Sequence, residues 1–280
     1  MIAQQLDHHD ILLFSYDFAV DSTLRLSAPR FLTAFNPRGY NNQPAFMGPG
    51  ELYITVQTPS DTTQTEIYSL NLPLATRSRI TATSTAEYSA QAMPGGRRFS
   101  AIRVEADGVQ RLWSFPLDRS DNGLPEFPDI EGVGYHAWVN DTLVALFIVG
   151  ENGIPHVLYT AGVQSQKLQR VAGNIGRSLQ TLPGNRLAYV QKITEQTWQL
   201  KIWDLKKRDS AILTKMPTGV EDFAVLPDGT FVCGKGTKLY QFKPGRNNEW
   251  KEIADLGNHR VRSISRLAVS KDGKLAVVVQ

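Results

Sequence analysis

Apolar and polar residues alternate in short runs along nearly the whole chain. In "ELYITVQT" (51–58), Leu52, Ile54 and Val56 share one parity and Tyr53, Thr55 and Gln57 the other. A period of two is the signature of a strand, because successive side chains point to opposite faces. Similar runs are "TEIYSLNL", "RFSAIRVE", "QRLWSFPL", "TLVALFIV", "HVLYTAGV", "RLAYVQKI", "QLKIWDLK", "TFVCGK" and "KLAVVV". They are rich in β-branched and aromatic residues and bounded by turn formers. Few windows sustain a helical period.

One kind of tight turn recurs ahead of one strand in each group. The turns read "MGPGEL", "MPGGRRF", "VNDTL", "LPGNRL", "LPDGTF" and "SKDGKL". Pro, Gly, Asn and Asp supply the backbone angles a hairpin needs. The first large apolar residues after them are Leu52, Phe99, Leu143, Leu187, Phe231 and Leu275, at intervals of 47, 44, 44, 44 and 44 residues. A repeat of about 40–50 residues with four strands per unit predicts an all-β chain, a six-bladed β-propeller of four-stranded antiparallel blades.

The termini predict how the propeller closes. The sixth repeat stops after two strands, 264–270 and 274–280. The segment ahead of the first repeat holds two more, at 10–18 and 24–34. N- and C-terminal strands are therefore expected to share the last blade, which removes two exposed edges. One domain over 1–280 is expected, with blades at about 41–81, 86–128, 133–172, 175–217, 219–257, and 261–280 plus 10–34.

Composition narrows the function classes. The chain is 41% hydrophobic and 20% charged, with a net charge of +3. That charge is small and has no long basic run, so no nucleic-acid partner is expected. The densest basic group, Lys206-Lys207-Arg208, reads as a solvated hairpin tip. No stretch reaches the roughly 18 apolar residues of a spanning helix. A single cysteine, Cys233, excludes an intrachain disulfide framework and any multi-cysteine metal site, and its apolar setting reads as core. The opening "MIAQQLDHHD" has no basic segment followed by an apolar run, so no signal peptide is expected in it. Either the protein is cytoplasmic, or the sequence starts at a mature N-terminus with Met added.

The string "NNQPAF…LYITV…TEIYSLNL…RIT" (41–81) is similar to the repeat of TolB-like bacterial propellers. "RGYNNQP", "EYSAQAMPGG", "RVEADGVQRLW", "VGYHAW", "NIGRSL" and "RLAVSKDG" resemble an exported branch of that group. The resemblance spans almost the whole chain. It implies a six-bladed propeller outside the cytoplasm, periplasmic or secreted, that binds protein or peptide, and it implies no agreed chemistry. Two-domain TolB proteins carry an additional N-terminal α/β domain, and no such domain is expected within residues 1–280.

In a propeller the first strand of each blade lines the central channel, and the residues at its start form one mouth. Aligned on the six turns, those positions hold Arg38, Tyr40, Asn41, Asn42 and Gln43; Glu87, Tyr88 and Ser89; Tyr135 and His136; Arg177 and Ser178; Glu221 and Asp222; and Arg262, Ser263 and Arg266. Polar groups converging on a concavity are the expected ligand site. The alternative is that they only satisfy backbone groups and water in a wet channel. Six-fold order sets Glu87 opposite Asp222 and His136 opposite Arg266. In "VGYHAW", His136 either touches the mouth or ties its blade to a neighbour.

Two functions follow. The first is a non-enzymatic, monomeric binding propeller of the bacterial envelope, taking a protein, a peptide or a small polar ligand at the channel mouth, with no cofactor. The second is a propeller enzyme, either a metal-dependent lactonase-like hydrolase or a carbohydrate-active enzyme. Glu87, Asn41 or Asn42, and Asp222 would supply its carboxylates and amide. No Gly-x-Ser-x-Gly or phosphate-binding glycine loop accompanies them, and "GKGTK" (234–238) reads as a hairpin turn. "DRSDNGLPEFPD" (118–129) has oxygen ligands at alternate positions, Asp118, Ser120, Asn122 and then Glu126 or Asp129, as in a calcium loop. It equally fits a polar hairpin tip. His8-His9-Asp10 is either a metal-binding group or part of a soluble tail.

Overall fold

A computed structural model describes residues 5–246 and 248–280. Every sheet has four strands, and apart from one 3-10 turn at Gly257–His259 the described residues form no helix. The fold is the six-bladed β-propeller the repeat predicted. Two compact units can be distinguished, one running up to Ala90 and resuming at Asp222–Gln280, the other Gln91–Glu221.

The first unit contains the closing sheet. Its strand order is Leu24–Phe31, Asp10–Phe18, Lys274–Val279, Ile264–Val269. Asp10 pairs with Val279 and Ser15 with Lys274, so the two ends of the chain hydrogen-bond in one antiparallel register. Ile11, Leu13, Ala276 and Val278 point to one side and pack with Leu52, Ile54 and Val56 of the first repeat. Leu12, Phe14, Leu275 and Val277 point to the other and pack with Val232 and Leu239 of the fifth. This is the period of two read from the sequence, with both faces apolar because both are covered. At the turn between Val269 and Lys274, Gly273 holds φ +82, which an L-residue adopts only under strain.

The second unit holds the sheets of the third and fourth repeats. Val133–Asn140, Leu143–Ile148, Val157–Gly162 and Leu168–Gly173 follow one another across one sheet, and Ile175–Leu182 to Asp209–Lys215 across the next. Ala137, Val139, Phe147, Leu179, Leu187 and Tyr189 share its core. The hairpin tip at 206–208 is as expected, with Asp204 Oδ1 accepting the N–H groups of Lys206 and Lys207.

Two strands are shorter than the alternation suggested. Leu124–Pro125 closes the second repeat with two residues, because Pro125 and Pro128 have no N–H to give a ladder. Ala224–Val225 opens the fifth with two, preceded by Pro217 and Gly219. The strand expected over 24–34 ends at Phe31.

Candidate functional site

In the first unit the polar residues at the strand starts are mostly bound to one another. Asn41 is fully buried. Its Nδ2 donates to the carbonyls of His9, Asn36 and Gly39, and its Oδ1 accepts from Asn36 Nδ2. Asn42 Oδ1 accepts from Gln43 N at 2.7 Å. Gln43 Oε1 accepts from Thr55 Oγ1 at 2.7 Å and from Ser89 N at 2.9 Å. Gln43 and Ser89 both have left-handed backbones, φ 53° and 54°, and so does Arg38 at 64°. For residues with a Cβ these conformations are costly and persist only where neighbours hold them, as these hydrogen bonds do.

The two carboxylates expected to oppose each other are both engaged. Glu87 is fully buried, and its Oε1 accepts from Thr83 Oγ1 at 2.7 Å and Thr85 Oγ1 at 3.1 Å. Asp222 Oδ1 accepts from Leu267 N at 3.0 Å, and its Oδ2 lies 4.0 Å from the Arg266 guanidinium. His9 stands edge-on to Tyr40 with ring centroids 5.7 Å apart. Burial lowers its pKa, and the charge of Arg266 lowers it further. Surface remains on Arg38, Tyr40 and Tyr88. Arg262 is exposed and lines a groove at one end of the closing sheet.

In the second unit His136 is a core residue, 1% exposed. Its Nε2 lies 2.7 Å from Ser100 Oγ, which also accepts Trp138 Nε1–H at 2.9 Å. Gln91 Nε2 donates to the His136 carbonyl at 2.6 Å. Removal from water pushes the imidazole pKa down to about 3, so the ring is neutral across the physiological range. The imidazole thus meets a side chain of the second repeat, Ser100, rather than its backbone. Tyr135 packs edge-on against Phe147 at 5.4 Å. Glu221 accepts from Lys192 Nζ at 2.7 Å and sits 3.6 Å from Arg177. Gly176 makes room for it, since a Cβ there would lie 2.9 Å from Glu221 Cβ. Ser178 is buried beside Arg177.

The 118–129 loop is a set of backbone turns. Asp118 Oδ1 accepts from Ser120 N at 3.0 Å, and Asp121 Oδ1 from Gly123 N at 2.7 Å. Asn122 is exposed and Glu126 partly so. His8 Nε2 pairs with Asp10 Oδ2 at 3.1 Å, whereas His9 turns away to the Asp7 carbonyl. Among the described residues no three His, Cys, Asp or Glu side chains converge as they would on a metal ion. Cys233 is fully buried, and burial raises its thiol pKa.

The partners Thr55, Thr83, Thr85, Ser100 and Lys192 were not anticipated from the sequence. Thr55, Ser100 and Lys192 lie on strands and Thr83 and Thr85 in the connection ahead of Ala86–Ala92, and nothing local marks any of them as a partner.

These features define a six-bladed β-propeller whose strand starts are polar and internally bonded. Among solved structures, the chain is similar to a TolB candidate from Agrobacterium tumefaciens, with TM-score 0.70, 12% identity, and 98% of both chains covered. It is also similar to TolB from Acinetobacter baumannii, with TM-score 0.60 and 14% identity, over 97% of this chain and 64% of that one. A chain of a nidogen/laminin complex matches with TM-score 0.66 and 9% identity, over 98% and 99%. The chain thus spans about two thirds of the Acinetobacter protein's length, and the likeness is one of fold. No family model matches, and no curated protein does. No helix among the described residues is long and apolar enough to cross a membrane.

Proposed function

We infer that this chain is a non-enzymatic, protein-binding propeller of the bacterial envelope, engaging its partner through the starts of the first strands. One observation carries the reading. The acids an enzyme would need at those positions are spent on structure, Glu87 on two threonine hydroxyls and Asp222 on Leu267 N. Arg38, Tyr40 and Tyr88 are among the strand-start side chains of the first unit that keep surface. Tyrosine and arginine are the residues enriched where proteins meet, because both combine apolar area with a directional polar end. The fold likeness to TolB propellers supports an envelope location and a macromolecular partner.

Site-specific photo-crosslinking tests it. A benzoylphenylalanine replaces Tyr40 or Tyr88, and, as controls, Leu74 or Ile212, which are 72% and 60% exposed. Discrete adducts from the strand-start positions alone, in the periplasmic fraction, are expected. Adducts of equal yield from all four positions, or none from Tyr40 and Tyr88, would remove the basis of the reading.

A further inference from the structure

The closing sheet and the sheet of the first repeat share one core, and each ends in an outer strand. Those strands are Leu24–Phe31 and Thr76–Arg79. Residues directly opposite in an antiparallel pair share a face of their sheet. Arg30 pairs with Leu13, and Arg77 pairs with Leu70. Leu13 and Leu70 both belong to the core between the two sheets. Each arginine therefore stands at the outer margin of that core, on the face turned toward the other sheet. A cleft of about 280 Å³ opens there, lined by both arginines.

Both guanidiniums are held in place. Arg30 Nη2 donates to the Leu72 carbonyl at 3.2 Å. The Arg77 guanidinium lies over the Phe35 ring, 4.6 Å from its centroid, and Phe35 stacks in turn on Tyr68. Neither arginine has an ion-pair partner among the described residues, and the described lining of the cleft includes no acid. Like charges on one cleft repel, and an anion between them relieves the repulsion. A guanidinium offers five N–H donors in a planar fork that matches carboxylate or phosphate. Arg30 spends one donor on Leu72, and Arg77 spends none on the described residues. The rest of the lining is largely apolar, with Leu70 and Leu72 buried and Phe31 53% exposed.

We propose that this cleft binds a small organic anion. A carboxylate or phosphate head sits between Arg30 and Arg77, and an apolar body lies against Phe31 and the leucines. The volume falls at the lower end of the roughly 300–1,000 Å³ of small-ligand pockets, so size selects a body of about one ring. The two arginines are already positioned by Leu72 and Phe35, which lowers the cost of ordering them on binding. The site is separate from the strand-start surface proposed above and stands without it.

Isothermal titration calorimetry on the full chain tests it. The probes are phenyl phosphate and benzoate, with inorganic phosphate as a head without a body and benzylamine as the same ring with the opposite charge. Saturable binding of phenyl phosphate or benzoate is expected, at least about tenfold tighter than that of inorganic phosphate, because the ring is buried. The tighter of the two names the head group, and benzylamine should not bind. The double variant Arg30→Gln/Arg77→Gln should weaken binding at least about tenfold with its thermal midpoint retained. Ala34→Phe keeps both arginines but fills the cleft from its exposed lining, and should abolish binding. Four results each overturn the proposal: no saturable binding of either aryl anion, equal affinity in the double arginine variant or in Ala34→Phe, equal binding of benzylamine, or inorganic phosphate binding as tightly as the aryl probes.

Discussion

His136 Nε2 and Ser100 Oγ lie 2.7 Å apart with both residues sealed from solvent, and the Trp138 indole donates to the same hydroxyl. Indole can only donate, so Ser100 Oγ accepts from it. The single serine hydrogen then goes to His136 Nε2 or to the Gln91 carbonyl at 3.5 Å. In either arrangement His136 Nδ1 finds no partner among the described residues. A protonated ring would leave a charge in a dry core, which is the physical origin of its pKa near 3.

That depression fixes a sign for stability against pH. The unfolded chain takes a proton on this residue near pH 6.5 and the folded chain only near pH 3. Stability is therefore complete above pH 6.5, falls as the pH drops through the interval, and stops falling near pH 3. At pH 4.5 the loss from this one group is about 2–3 kcal/mol. Denaturant titrations at pH 7 and pH 4.5 on the native chain and on His136→Gln measure it. The variant should be less stable at pH 7, and its loss on acidification should be smaller than the native one by that amount. Equal losses would show that His136 is not the buried base described.

Gln43 and Ser89 give a paired prediction. The Gln43 carboxamide accepts from Thr55 Oγ1 and is the nearer of two acceptors for Ser89 N, the other being Thr55 Oγ1 at 3.2 Å, so Gln43→Ala removes two hydrogen bonds, leaves Ser89 N only the longer one, and should cost about 1–3 kcal/mol. Ser89 holds φ 54°, and its own hydroxyl has no hydrogen-bond partner among the described residues. Ser89→Gly relieves the backbone without losing a contact and should stabilise by up to about 1 kcal/mol. Chemical denaturation of both variants, with opposite signs expected, checks the arrangement.

The fold was legible in the sequence because its signals are local. Turn residues such as those at 93–96, 226–229 and 270–273 recur at one phase, and alternation through Leu52, Ile54 and Val56 needs only a few neighbours to be read. Closure was legible for the same reason, since Asp10–Phe18 and Lys274–Val279 each read as half a blade. The two-residue strand at Leu124 was not, because Pro125 removes a ladder donor without changing the apolar pattern. The candidate site was legible only as positions. Asn41 and Glu87 stand second in Tyr40–Gly48 and Ala86–Ala92, and His136 lies mid-strand in Val133–Asn140, but nothing local says which polar residue turns inward. Their partners come from elsewhere in the chain, Ser100 being 36 residues from His136 and Ser89 46 residues from Gln43. Hydrogen bonds at that separation leave no periodic trace.

Asp222 separates a hydrogen bond from an ion pair. Its Oδ1 accepts from Leu267 N at 3.0 Å, while its Oδ2 is 4.0 Å from Arg266, long for a strong pair. Asp222→Asn keeps the acceptor and should cost less than about 1 kcal/mol. Asp222→Ala leaves the backbone donor unsatisfied and should cost about 1–3 kcal/mol. Thermal denaturation at low and at high salt distinguishes the contributions, because only the charge term should respond to salt. If both substitutions cost the same, the ion pair is the dominant contact and the assignment is reversed.

Gly176 is the residue that allows Glu221 its place. A methyl group there would lie 2.9 Å from Glu221 Cβ and 3.2 Å from Val190 Cβ. Val190 is fully buried and cannot move aside, so the strain falls on Glu221 and on the pairing with Lys192 and Arg177. Gly176→Ala should destabilise by about 1–3 kcal/mol, the usual cost of overpacking. Glu221→Ala retains a Cβ, so it should relieve only the part of that cost carried by the displaced carboxylate. A double-mutant cycle reads this part directly: Gly176→Ala should cost less in the Glu221→Ala background by about 0.5–1 kcal/mol, with the remainder due to the Cβ contacts. Strict additivity of the two substitutions would mean that the whole cost comes from the Cβ contacts at 221 and 190, and that the Glu221 carboxylate and its cation cluster are not displaced.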